Sequence, residues 1–139
     1  MEKDLSRNFK KEWEPNYYER IEPKACTSGI PDVLLVVNEV SFFIELKYEK
    51  KKFINKKLKI RESQKIWFLK FPGIAFFLFQ VEDKYYLFDK DKTMFLTQTK
   101  VKWQDFVNNA EVFSDLKKVK IRIGTLICMK ILKISAICS

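Results

Sequence analysis

Histidine is absent from this sequence. Its absence excludes Ser/His and Cys/His nucleophile pairs, metal sites that depend on imidazole, and histidine general bases. Any catalysis must therefore use the carboxylates, lysines or tyrosines of the chain.

Glycine and proline are scarce, with three and four copies among 139 residues, while 47% of the residues are hydrophobic and 15% aromatic. This composition excludes a disordered or loop-rich chain and predicts a single domain, residues 1–139, with its own core. The three cysteines, at positions 26, 128 and 138, form an odd set without a CxxC pair. They predict reduced thiols rather than a disulfide framework or a zinc site.

Acidic residues are in deficit, because 18 Asp and Glu face 27 Lys and Arg, which gives a formal charge of +9. A charge of this sign and size attracts a polyanion, and nucleic acid is the expected partner. The alternative is a merely lysine-rich composition without a nucleic-acid partner.

Neither end of the chain predicts export or membrane insertion. The first four residues are too charged to begin a signal peptide, so we expect an intracellular protein that is not secreted. The apolar stretch 121–137 is interrupted by Arg122, Lys130 and Lys133, which excludes a membrane span. The alternation in 120–123 predicts a strand there, followed by an unassigned tail after Gly124.

Hydrophobic periodicity and turn residues divide the rest of the chain into alternating elements. Helices are predicted at 4–13, 63–71 and 103–109, and strands at 17–21, 33–37, 41–47, 74–81 and 85–88. Asn38-Glu39 predicts a tight hairpin turn. The polar run 48–59 is expected to be a loop or arm, and the aromatic residues of 76–88 are expected to pack in the core.

Two carboxylates and a lysine lie at the ends of two predicted strands. Gly29-Ile30-Pro31-Asp32 precedes the strand 33–37, and Glu45-Leu46-Lys47 closes the strand 41–47. Because side chains alternate along a strand, Glu45 and Lys47 share one face, and the other face carries Phe42, Ile44 and Leu46. Such a group can hold a hard divalent cation and activate water for phosphodiester hydrolysis. The alternatives are a solvated Glu/Lys pair and an Asp32 that caps a turn.

Motif and element order together resemble one nuclease superfamily. The segments that carry the resemblance are Arg20-Ile21-Glu22, Ser28-Gly29-Ile30-Pro31-Asp32, Phe43-Ile44-Glu45-Leu46-Lys47 and Arg61-Glu62-Ser63-Gln64. They resemble the PD-(D/E)xK nucleases, and among these the virus-type replication-repair nuclease (VRR-NUC) domain in its stand-alone, phage-like form, over roughly residues 2–90. The resemblance implies an α/β fold with a restriction-endonuclease-like core, ordered α-β-β-β-α-β, in which helices flank a central mixed sheet.

The resemblance also implies a role for each matched residue. Asp32, Glu45 and the backbone carbonyl of Leu46 would hold Mg²⁺ or Mn²⁺, and Glu2 matches a further carboxylate position on the first helix. Lys47 would act beside the attacking water. Gln64 would hold that water or Lys47 by a hydrogen bond, the alternative being a plain helix-surface residue.

A dense basic run follows the second of these strands. The residues expected to contact DNA are Lys50, Lys51, Lys52, Lys56, Lys57, Lys59 and Arg61, together with Arg20 from the first strand. Such a run can follow a phosphate backbone, so recognition by backbone shape is favoured over base reading. The alternative is a solvated loop.

From the resemblance we expect a metal-dependent endonuclease that is selective for branched DNA such as four-way (Holliday) junctions and acts as a homodimer in replication or repair. The expected location is the cytoplasm of a bacterial or phage-infected cell, or the nucleus if the virus is eukaryotic. The alternatives are a flap-cutting or restriction-like nuclease of the same superfamily, and a basic nucleic-acid-binding module without turnover. Residues 91–139 match no motif and form an extension of uncertain role.

Overall fold

The structure of the chain is a computed structural model, which describes the backbone of residues 2–14, 16–21 and 29–138. The side chains of residues 2–3 and 134–138 lie outside the description. The helices are α1 (Glu2–Trp13), α2 (Glu62–Lys70), α3 (Thr93–Leu96), α4 (Trp103–Asn109) and α5 (Leu116–Cys138). The strands are β1 (Tyr17–Arg20), β2 (Val33–Val37), β3 (Val40–Glu49), β4 (Asn55–Lys56), β5 (Ile74–Val81), β6 (Lys84–Asp89), β7 (Val101–Lys102) and β8 (Glu111–Phe113).

Six strands form a central mixed sheet in the order β1-β2-β3-β5-β6-β8. Strands β3 and β5 run parallel, with α2 crossing between them, and the other pairs are antiparallel. The remaining short strands, β4 and β7, pair with each other in a separate two-stranded sheet. The predicted α-β-β-β-α-β order and the mixed sheet flanked by helices are therefore confirmed.

Each face of the sheet is covered by its own apolar core. On one face, the even-numbered residues of β3 pack with α1 and α5. On the other face, Phe77 and Phe79 of β5 pack with residues of α2, α3 and α4. Burial on both faces explains why β5 reads as a continuous apolar run, as predicted for a strand beside a parallel neighbour.

The predictions that rest on short sequence patterns agree with the structure at the hairpin turn, in two helices and in the aromatic strands. The turn between β2 and β3 contains Asn38 and Glu39 with φ of 50° and 68°, the left-handed values that a tight two-residue hairpin turn requires. Helices α2 and α4 lie within one residue of their predicted bounds. The aromatic residues of β5 and β6 lie in the core, as expected.

The prediction of a strand at 120–123 is wrong. Residues 116–138 form one helix of 23 residues, α5. Its buried positions, Leu116, Val119, Ile123 and Ile127, recur every three or four residues and pack on the first core. The helical period of the buried residues therefore predicts this segment better than the short alternation of polar and apolar residues at 120–123. The described helices include none that is long and apolar enough to cross a membrane.

The prediction of a loop or arm at 48–59 is also wrong in part. Strand β3 continues to Glu49, and β4 pairs antiparallel with β7, so that Asn55 lies opposite Lys102. Phe53 packs against the second core, and Leu58 is buried in it. The segment is therefore anchored to the domain and does not extend freely from it.

Candidate active site

The candidate site lies where β2 and β3 separate. The ladder between them ends at the pair Val33 and Ile44, so Asp32 comes next on β2 and Glu45 next on β3. There the side chains replace the ladder: the backbone N–H of Asp32 donates to Glu45 Oε1 at 3.1 Å, and the backbone N–H of Leu46 donates to Asp32 Oδ2 at 3.1 Å. Both carboxylates are therefore held by backbone groups at the point of separation.

Pro31 cannot donate a backbone hydrogen bond to the Leu46 carbonyl at this point. Residues two apart on a strand present their N–H and C=O groups to the same edge, so Ile44 and Leu46 both face β2. The ladder ends at Val33 and Ile44, and continuing its register by two residues would put Pro31 opposite Leu46. Because proline has no N–H, position 31 cannot supply a ladder hydrogen bond to the Leu46 carbonyl. That carbonyl belongs to the same edge of β3 as the Leu46 N–H, which donates to Asp32 Oδ2.

Gln64 joins the charged residues into one network. Its Nε2 donates to Glu45 Oε2 at 2.9 Å, and its Oε1 accepts from Lys47 Nζ at 3.2 Å. The Lys47 ammonium also lies 3.1 Å from Glu45 Oε2. Glu45 and Gln64 are only 2% and 3% exposed. The alternatives of a solvated Glu/Lys pair and a helix-surface glutamine are therefore excluded.

The start of α2 fixes the position of Gln64. The backbone N–H of Arg61 donates to Gln64 Oε1 at 3.1 Å, in the manner of a capping box. Gly29 packs against this helix start with φ of 65°, and a Cβ at this position would clash with the Ser63 carbonyl. Only glycine allows this close approach, which brings the segment before Asp32 against α2.

Burial changes the acidity of the central carboxyl. Desolvation raises the pKa of Glu45 to about 7, against the lowering effect of the Lys47 ammonium and with a further raising effect of the Asp32 charge. A buried carboxyl at this pKa is protonated in part at neutral pH. A cation placed between Glu45 and Asp32 would favour the charged form.

The donor set fits a hard divalent cation. Asp32, Glu45 and the Leu46 carbonyl supply oxygen ligands only, which suit Mg²⁺ or Mn²⁺. Among the side chains that the structure describes, no cluster of three or more Asp, Glu, Cys or His residues occurs. The described protein ligands would thus be few, which suits Mg²⁺ because this ion keeps several of its waters.

The sequence prediction grouped four residues that the structure brings together: Asp32, Glu45, Lys47 and Gln64. Two other matched carboxylates fall outside this picture. Glu2 lies in the first turn of α1, but its side chain is not among those described, and Glu22 lies outside the described residues. The role that the resemblance implies for Glu2 remains a prediction.

Arg20 lies on the opposite face of the sheet. Its cross-strand partner Val33 belongs to the core under α1, and partners across a ladder share a face. The Arg20 guanidinium donates to Ser6 Oγ at 2.9 Å, and it lines a pocket of about 330 Å³ with Arg7 and Lys10. Arg7 and Lys10 are not among the predicted DNA contacts, although their spacing of three places them on one helix face.

The predicted basic residues after β3 fall into two groups. Lys56 is half-buried and lies 2.8 Å from the Glu49 carboxylate, so it is an anchor of the segment. The others are exposed: Lys50, Lys51, Lys52, Lys57, Lys59 and Arg61. These six cations form a surface that is open to a polyanion.

Comparison with solved structures identifies the fold. The chain is similar to Hjc, a Holliday junction resolvase from the archaeal hyperthermophile Archaeoglobus fulgidus, with a TM-score of 0.52 and 16% sequence identity. The alignment covers 86% of this chain and 99% of Hjc. No family model and no curated protein sequence matches the chain. The predicted restriction-endonuclease-like α/β fold is confirmed by this likeness.

Proposed function

We propose that the chain is a PD-(D/E)xK endonuclease that hydrolyses DNA phosphodiester bonds with Mg²⁺ or Mn²⁺. The observation that carries the proposal is the grouping of Asp32, Lys47 and Gln64 around Glu45 where β2 and β3 separate. The motif order in residues 20–64 favours the virus-type replication-repair branch of these nucleases.

The two carboxylates and the Leu46 carbonyl would hold the metal ion. When bound, the ion supplies a Lewis acid that neutralises phosphate charge and lowers the pKa of a coordinated water. The protein contributes fixed ligands, because Asp32 and Glu45 are each held by a backbone N–H of the opposite strand. Ligands held in this way need little rearrangement to receive the ion.

Lys47 acts beside the ligands. Hydrolysis forms a bond between phosphorus and the water oxygen, breaks the bond to the leaving oxygen, and ends with a proton on that oxygen. The Lys47 ammonium can donate hydrogen bonds to the attacking water or to the phosphate oxygens, on which negative charge grows. Gln64 Oε1 holds this ammonium at 3.2 Å, so Gln64 is a positioning residue.

The preferred substrate is branched DNA, and four-way junctions in particular. The likeness to a Holliday junction resolvase supports this choice. The exposed lysines after β3 support contacts with the DNA backbone rather than base reading. Lysine-rich surfaces bind DNA mainly through its phosphates, which carry no sequence information. Arg20, with Arg7 and Lys10, would supply a second phosphate contact on the other face.

A homodimer fits paired cuts, because two symmetric incisions need two sites related by a twofold axis. The proposed surface is the outer side of α5, where four large side chains are exposed: Ile121, Met129, Ile131 and Leu132. An apolar groove of about 460 Å³ lies between α5 and the turn after β2. Light scattering on the purified protein would measure the mass in solution, and a monomer at micromolar concentration would contradict the dimer.

The decisive experiment compares an end-labelled four-way junction, a flap and a linear duplex, each with Mg²⁺, Mn²⁺ or EDTA. We expect metal-dependent cuts near the branch, lost in Asp32→Asn and Lys47→Met. The matched controls are Asp83→Asn in an exposed turn and Lys70→Ala at the exposed end of α2, and both should cleave normally.

The other results have distinct meanings. Equal cutting of linear DNA would keep the active site and reject the branched substrate, and preferred cutting of the flap would favour a flap nuclease. Salt-sensitive binding without cleavage in either metal would reject the enzyme and leave a nucleic-acid-binding module.

A further inference from the structure

One large apolar side chain lies in the middle of the basic surface. Ile54 is 89% exposed, more than any other exposed large hydrophobic residue among those the structure describes. The neighbouring apolar residues Phe53 and Leu58 pack against or lie in the second core. Ile54 alone in this segment thus presents an aliphatic side chain to solvent.

The backbone that carries Ile54 is held from both sides. The Ile54 carbonyl accepts a hydrogen bond from the Trp103 N–H at 3.2 Å, and the next residue, Asn55, pairs with Lys102. The Phe53 ring lies 5.2 Å from the Trp103 ring and 5.5 Å from the Phe106 ring. Because this backbone is already fixed, insertion of the Ile54 side chain into a binding partner costs little further backbone entropy.

The segment that carries Ile54 is anchored on the same face of β3 as the candidate active site. Glu49 shares the odd-numbered face of β3 with Glu45 and Lys47, since side chains alternate. The Lys56 ammonium lies 2.8 Å from the Glu49 carboxylate, which brings β4 over that face. Glu49 is four residues from Glu45, or about 13 Å along the strand.

Charge and shape together indicate what Ile54 contacts. Exposed lysines at positions 50, 51, 52, 57 and 59 flank Ile54 along the chain and attract a phosphate backbone. An aliphatic group gains nothing from phosphate, but it is stabilised when it is buried against the flat face of a base pair. Continuous duplex stacks those faces together, whereas a branch point interrupts the stack. Apolar side chains are inserted at such steps by proteins that kink DNA.

We propose that Ile54 is a wedge that inserts at the branch point of DNA and makes binding selective for branched over continuous duplex. This inference rests on the proposed function, because it gives the substrate preference of the same site. The lysines supply affinity that is independent of DNA shape, and Ile54 supplies the preference for the branch.

The test measures binding in EDTA, so that it does not depend on cleavage. A four-way junction carries 2-aminopurine beside the branch, and a linear duplex carries it at the same sequence position. For the wild-type protein we expect tighter binding to the junction and a rise in 2-aminopurine fluorescence as the base unstacks. Ile54→Ala should weaken junction binding by about tenfold, leave duplex binding within about twofold, and abolish the fluorescence rise.

Two variants control for folding and for general apolarity. Ile54→Leu keeps the aliphatic volume and should retain both the affinity and the fluorescence rise. Met94→Ala removes another large exposed hydrophobic side chain, on α3. Because α3 follows the end of β6 that pairs with Phe76, at the opposite end of β5 from Val81 and its partner Glu49, this variant should bind the junction as the wild type does.

Failure of the wedge differs from failure of the nuclease. Equal losses on junction and duplex in Ile54→Ala, or an unchanged fluorescence rise, would overturn the wedge even if the wild type cleaves. Junction binding that depends on Ile54 in a protein that never cleaves would support the wedge and reject the nuclease. Unchanged junction binding in Ile54→Ala, with lost binding to phosphatidylserine vesicles, would overturn the wedge in favour of a membrane contact.

Discussion

The two faces of β3 are both buried, but one is covered by apolar side chains and the other contains a hydrogen-bonded carboxylate. On the even-numbered face, Phe42, Ile44 and Leu46 are buried among apolar side chains of α1 and α5. On the odd-numbered face, Glu45 is equally buried, but its neighbours are the Asp32 N–H, the Lys47 ammonium and the Gln64 amide.

The difference separates stability from function within one strand. The apolar face gains free energy by removing hydrocarbon from water. The polar face loses free energy by burying a carboxylate, and the hydrogen bonds of the network offset part of that loss. We therefore expect substitutions on the two faces to have opposite consequences.

The largest effect is expected for Glu45→Gln. Loss of the ligand charge should reduce metal-dependent cleavage by at least about 10³-fold. The same variant should be at least as stable as the wild type near pH 8 without metal, because the carboxylate charge of Glu45 is then no longer buried. Cleavage rates and thermal unfolding, measured on the same preparations, check both parts. A variant that both cleaves poorly and unfolds early would contradict the separation.

The converse change is Ile44→Ala on the apolar face. Removing a fully buried side chain should lower the free energy of unfolding by about 3 kcal/mol. Cleavage at a temperature where the variant stays folded should fall by less than about threefold, because Ile44 faces away from the carboxylates. Urea titration and cleavage at 20 °C check this. A loss of cleavage as large as in Glu45→Gln would show that the faces are not independent.

The pH dependence of stability should reveal the buried carboxyl. The pKa of Glu45 rises from an ordinary 4.5 to about 7 on folding, so the unfolded chain loses this proton first as pH increases. The protonated Glu45 carboxyl makes its full contribution to the free energy of unfolding below pH 4.5. This contribution, about 3 kcal/mol in metal-free protein, is lost as the pH rises to about 7. Urea unfolding in EDTA at several pH values measures it. The wild-type curve should fall over this window relative to that of Glu45→Gln, and parallel curves would contradict the shift.

A smaller effect is expected for Gln64→Ala. The change removes three hydrogen bonds, those of Gln64 with Glu45, with Lys47 and with the Arg61 N–H, and should cost about 1–2 kcal/mol of stability. Cleavage should fall about tenfold, with a lower rate rather than weaker DNA binding, because Gln64 positions Lys47. Gln104→Ala on α4, which removes an exposed hydrogen bond to Asn108, should change neither quantity measurably. Equal behaviour of the two variants would reject the positioning role.

The parts of the fold that depend on neighbouring residues were predictable. The Asn38-Glu39 turn sets the register of β2 and β3, and that register places Asp32 opposite Glu45. The alternation along β3 also predicts which side chains share a face. The sequence pattern could not predict the 2% exposure of Glu45, because a charged residue in a strand is usually solvated.

The errors have a common cause in contacts between distant residues. Strand β4 pairs with β7, so Asn55 meets Lys102 across 46 intervening residues, and no local signal in the lysine-rich segment indicates that partner. In α5, the apolar face became decisive only because α1 and the sheet offer a surface to cover.

The sequence by itself determined the order of the core elements, the absence of histidine chemistry, and the carboxylates and lysine that end at one edge, because these follow from residue type and local period. Only the tertiary structure decided that Gln64 completes the network, that α5 is a helix, and that Ile54 is exposed among lysines. Those outcomes depend on packing and burial, which are properties of residues brought together from distant parts of the chain.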